Sequence, residues 1–129
     1  MATRTSDAQG VMTGKPLIES DRVEGTTVYD RSGNNIGSVK RLMIDKMNGR
    51  VAYAVIAFNT FLGLGGEEYT LPWSKLDYDT NLEGYRVDVT KEQVTGSPDF
   101  YRSGDYAWDD RDREMELHDY WRARPYWGP

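Results

Sequence analysis

The sequence predicts a mainly β fold: a small barrel of five or six short strands, with one short helix and an aromatic C-terminal helix docked on it. Three observations carry that prediction. Segments with a period of two alternate with clusters of turn formers through residues 17–90. One segment, Val51–Phe58, is apolar on both faces, whereas a strand with one wet face alternates with polar residues. Seven of the 16 aromatic residues fall in the last 29 positions, too many for a solvated tail to leave unburied.

The first strand follows Glu24, where Thr27 and Tyr29 oppose Thr26 and Val28, and it ends in the turn cluster Asp30-Arg31-Ser32-Gly33-Asn34. Residues 36–45 resume with Ile36, Val39, Leu42 and Ile44, an irregular alternation that predicts a bulge or bend near Gly37. Asn48-Gly49 tolerates positive φ and predicts a hairpin into Val51–Phe58. Something must cover the second face of that strand. Residues 59–66 form a Gly-rich loop, and in the strand after it Tyr69 and Leu71 share a face until Pro72 stops it. Trp73 then stands where it can cap one end of the barrel. Leu76 and Tyr78, the turn at residues 80–84, and Tyr85, Val87 and Val89 predict a second hairpin. Thr90 and Gln93 match a capping box and start a short helix. In the tail, Asp109, Asp110 and Asp112 precede Arg122 and Arg124, which suits the helix dipole over residues 109–123. Residues 1–16 are expected to be a disordered leader, 17–100 the barrel and 101–129 the aromatic extension.

Composition excludes many functions. The net charge of −5 opposes nonspecific attraction to nucleic acid or an anionic membrane. Zero cysteines exclude disulfides, thiolate catalysis and cysteine-held metals, and one histidine excludes a multi-histidine site. No apolar run reaches the roughly 18 residues of a membrane span. The expectation is a cytoplasmic protein with no cofactor, no metal, no nucleic-acid partner and no membrane insertion.

No residue set reads as catalytic. Ser103, His118 and Asp119 spell a relay, but adjacent helix positions do not face one another and no nucleophile elbow is present, so His118 is read as a solvated histidine on the helix surface. Glu67-Glu68 and Asp77 with Asp79 read as solvated carboxylates. Gly63-Leu64-Gly65-Gly66 lacks the strand, helix and lysine of a phosphate loop. Its apolar neighbours matter more: Phe61, Leu62 and Leu64 in an exposed loop are the candidate partner-binding residues. The candidate tail-docking residues are Trp108, Leu117, Tyr120, Trp121, Tyr126 and Trp127.

Several segments taken in order resemble a known family. They are Val23-Glu24-Gly25-Thr26-Thr27-Val28-Tyr29, the Gly33 turn, Ile36-Gly37-Ser38-Val39, Met43-Ile44-Asp45, Gly49-Arg50-Val51-Ala52-Tyr53-Ala54-Val55 and Leu71-Pro72-Trp73-Ser74-Lys75-Leu76. This order is similar to that of PRC-barrel domains, the small barrel shared by the H subunit of the photosynthetic reaction centre and the C-terminal half of a ribosome-maturation factor. The tail, with Trp108 and Arg124-Pro125-Tyr126-Trp127, is similar to that of small stand-alone bacterial members. The resemblance implies docking on other macromolecules and brings no catalytic set. The resulting expectation is a non-enzymatic module acting through protein–protein association, an adaptor in stress or envelope physiology, and a homodimer. The alternatives are H-subunit-like support of photosynthetic electron and proton transfer, and binding in ribosome assembly.

Overall fold

The computed structural model describes residues 17–59, 68–98 and 110–127. A single helical turn, α1 (Ser20–Val23), leads into β1 (Thr27–Tyr29), β2 (Asn35–Ile44), β3 (Val51–Phe58) and β4 (Glu68–Pro72). A 3₁₀ turn, Trp73–Lys75, then delivers the chain to β5 (Asp77–Asp79) and β6 (Gly84–Arg86). Two helices follow, α2 (Lys91–Thr95) and α3 (Arg111–Trp121).

The six strands form one mixed sheet in the order β4-β3-β2-β1-β6-β5. β1 and β6 run parallel, and every other neighbouring pair is antiparallel. The fold is mainly β, as the sequence predicts, but the sheet is not closed. Pro72, with no N–H to donate, ends β4, and the 3₁₀ turn rather than a ladder joins β4 to β5.

The bend near Gly37 has two parts. Against β1 the register slips between Val28 and Tyr29, so that Val28 faces Gly37 and Tyr29 faces Asn35. Against β3 it slips between Val39 and Arg41. Gly37 is required where β2 lies against β3, because a Cβ there would overlap the Ala57 carbonyl oxygen. Gly49 takes φ 77° in the β2–β3 turn, the left-handed conformation that suits glycine.

β3 is buried on both faces, from Ala52 through Ile56. Leu117 and Trp121 of α3 belong to the same core cluster as Val28, Ile36, Ile56, Phe58 and Leu71, so the tail helix completes the core. α3 begins two residues later than the predicted 109–123 and ends two earlier. Asp110 caps it by accepting from the amides of Asp112 and Arg113, and Arg122 ends it in the left-handed region. α2 carries the predicted capping box, with both Thr90–Gln93 hydrogen bonds made. The Tyr120 hydroxyl donates to the Gln93 carbonyl at 2.6 Å and ties α3 to α2.

Candidate functional site

α3 buries a stripe at the spacing i, i+3, i+4, i+7: Glu114, Leu117, His118 and Trp121. Leu117 and Trp121 were predicted to lie inward. The same spacing brings Glu114 and His118 with them, and both are 2% exposed. The solvated histidine expected from the sequence is therefore a buried one. Once Leu117 and Trp121 define the inward face, helical periodicity alone places His118 there.

These two polar side chains meet the hydroxyl of Tyr53, in the middle of β3. The phenol donates to Glu114 Oε1 at 2.7 Å and lies 2.9 Å from His118 Nε2. His118 Nδ1 faces the Ala123 carbonyl at 3.2 Å. The Tyr126 hydroxyl lies close enough to Glu114 to be influenced by its charge, and the Arg111 guanidinium lies 3.5 Å from its other oxygen. Glu114 is thus a buried carboxylate met by the Tyr53 hydroxyl and the Arg111 guanidinium, as burial of such a group demands.

The environment shifts the neighbouring groups in opposite senses. Burial, reinforced by Glu114, raises the Tyr53 phenol above the ordinary tyrosine range. The same two causes push Tyr126 up to about 12. Burial holds the His118 imidazole below the usual histidine value, against the pull of the Ala123 carbonyl, Glu114 and Asp119 toward the charged form. With its proton given to Glu114, Tyr53 can only accept from Nε2, while Ala123 can only accept from Nδ1. A neutral ring satisfies one of those contacts and an imidazolium both.

Tyr53 and Glu114 also reach the wall of a hollow of about 520 Å³, between the β2–β3 hairpin tip and the C-terminal residues. Met43, Ile44 and Met47 line one side, and Arg111, Tyr126 and Trp127 the other. Arg111 stacks over the Trp127 ring at 3.8 Å from its centroid, and Tyr126 meets Trp127 edge to face at 4.9 Å. At the mouth, Ile44 is 50% and Met47 93% exposed.

The other sequence candidates fall as follows. Phe61, Leu62 and Leu64 lie outside the described residues, as do Trp108, Ser103, Glu67 and the Gly63 to Gly66 run. Leu117 and Trp121 are in the core, Tyr120 is exposed except for its bond to Gln93, and Tyr126 and Trp127 are half-buried beside the hollow. Trp73 packs on Tyr85 at 5.3 Å. His118 and Asp119 point apart: one is buried and the other exposed. Asp77 is exposed, whereas Asp79 caps the β5–β6 turn through the amides of Asn81 and Leu82 and pairs with Arg86 at 3.3 Å. Among the described residues no three His, Asp or Glu side chains are grouped to hold a metal ion, and no helix is long and apolar enough to cross a membrane.

The PRC-barrel domain profile matches residues 16–94, from just before α1 into α2. No curated protein matches the chain significantly.

Proposed function

The chain belongs to the PRC-barrel family, and from that premise we propose that it is a non-enzymatic module acting through association with another protein, which docks at the hollow beside the β2–β3 hairpin tip. The observation that carries this reading is the exposure of Met47 and Ile44 at the mouth of that hollow. A hairpin tip is free to be polar throughout, and large apolar side chains grouped there gain stability only when a partner covers them. Methionine suits such a surface because its flexible, polarisable side chain adapts to the shape it meets.

A binding role also agrees with the chemistry. Tyr53, Glu114 and His118 form a buried polar cluster that crosses from the sheet to α3, and each is at most 2% exposed. They answer one another and hold the helix on the sheet. Tyr53 and Glu114 reach the wall of the hollow, but burial to this degree leaves a substrate little of either to touch.

The test is affinity capture from native cells with the wild-type chain and with the Ile44→Ser/Met47→Ser double variant. Exposed substitutions shift stability by about 0.5 kcal/mol or less, so the variant should melt with the wild type and lose a specific captured protein. Identical captured sets, at equal melting temperature, would overturn the reading.

A further inference from the structure

We propose that the seam between the Trp73–Lys75 turn and the C-terminal end of α3 binds an acidic segment of the partner protein, with an apolar side chain of that segment seated beside Trp73. This rests on the association reading above and supplies the chemistry of the partner.

Two hollows lie along the seam. The first, about 290 Å³, has Trp73, Pro125 and Tyr126 among its walls and is flanked by Arg50 and Arg124. The second, about 420 Å³, is flanked by Lys75 and Arg122. Both are walled by the Trp73–Lys75 turn and the C-terminal end of α3: Ser74 lines one and Lys75 the other, as do Arg124 and Arg122.

Four cations thus line the two hollows of the seam on a chain whose net charge is −5. Among the described residues the one carboxylate lining these hollows, Asp88, lies 3.6 Å from Arg31. Arg22, Arg31, Arg41, Arg86 and Arg111 each stand within 3.6 Å of a carboxylate. Among the described residues, Arg50, Lys75, Arg122 and Arg124 make no such pair. The helix dipole accounts for cations at the end of α3, which covers Arg122 and Arg124. Arg50 comes from the β2–β3 turn and Lys75 from the 3₁₀ turn, so that explanation does not reach them.

Unpaired guanidinium groups beside an apolar, aromatic-walled hollow complement a carboxylate-rich chain carrying an apolar anchor. A long polyanion such as RNA is disfavoured, since the remainder of this acidic molecule repels it. A short acidic segment meets only the local field.

The experiment titrates the full chain into a fluorescein-labelled peptide, Glu-Glu-Leu-Phe-Glu-Glu, and follows anisotropy at low and physiological salt. Parallel titrations use the peptide with Lys for each Glu, the peptide with Ser-Ser for Leu-Phe, and an oligouridine RNA of equal charge. The acidic peptide should bind, with affinity falling as salt rises, and both substituted peptides should bind more weakly. Arg50→Glu/Arg124→Glu should weaken binding by about tenfold or more at unchanged melting temperature. Lys40→Glu/Lys91→Glu reverses the same charge at positions lining neither hollow and should change it less than about twofold. The inference is overturned if the wild type ignores the acidic peptide, if the two double reversals weaken binding equally, or if the RNA binds more tightly. Loss of capture by Ile44→Ser/Met47→Ser with no binding of the acidic peptide would leave the association reading standing and remove this one alone.

Discussion

The Tyr53 hydroxyl stands 2.7 Å from Glu114 Oε1, joining the middle of β3 to the first turns of α3 across 61 positions of sequence. The same oxygen lies 2.9 Å from His118 Nε2, one helical turn further along. One phenol therefore fixes both the rotation and the position of α3 on the sheet, which packing of Leu117 and Trp121 alone would leave less strictly defined.

Tyr53→Phe keeps the ring and removes that oxygen. Glu114 and His118 each lose a buried partner, and a buried polar group left unsatisfied costs about 1–3 kcal/mol. Chemical denaturation should show a loss in that range with the unfolding slope unchanged. A variant as stable as the wild type would mean that the hydroxyl contributes nothing net to docking α3.

The stability of the fold should fall on acidification below the ordinary histidine pKa of 6.5. The folded state lowers the His118 pKa, so the unfolded chain binds the proton more readily. The contribution of His118 is fully present above 6.5 and is lost as pH falls through its depressed folded value. Urea midpoints of the wild type at pH 7.5 and pH 5 should differ by more than those of His118→Gln, which cannot titrate. Equal pH dependence in the two proteins would show that His118 keeps its ordinary affinity for protons.

Gly37→Ala should destabilise by about 1–3 kcal/mol or more, the cost of forcing extra volume into a packed site, because its methyl would meet the backbone oxygen of Ala57. That atom belongs to β3 and cannot move without its ladder. A melting temperature unchanged from the wild type would contradict the close approach of β2 to β3.

Truncation after Phe100 removes Leu117 and Trp121 from the core cluster and reopens β3. Each large side chain so lost is worth about 1.5–3 kcal/mol, a large part of the roughly 5–15 kcal/mol that holds a small domain together. The truncated chain should melt far lower or aggregate. If it stays soluble and melts within a degree or two of the full chain, the tail is no part of the core.

The strands were legible because their signals are local. Asn48-Gly49 marks a hairpin, Pro72 a strand end, and Thr90 with Gln93 a capped helix, each through the backbone chemistry of a few residues. The double burial of β3 and the aromatic surplus of the tail also pointed to the docked helix. What the sequence concealed depends on distant pairs. Helical periodicity turns His118 inward beside Leu117 and Trp121, but nothing near it announces its partner Tyr53, 65 positions away. The parallel pairing of β1 with β6 and the open gap between β4 and β5 likewise belong to the path of the whole chain. Met47 stands next to the Asn48-Gly49 turn in the sequence, and its place beside Tyr126 and Trp127 follows only from the docked tail.

The association account is tested most directly by photo-crosslinking in living cells, with a photoreactive residue placed at Met47 in one strain and at Lys40 in another. The account predicts a discrete adduct at position 47, absent at position 40 and lost when Ile44→Ser is added; an adduct at twice 14.8 kDa would identify the partner as a second copy of the chain. No adduct at position 47, or the same adduct from both positions, would contradict it.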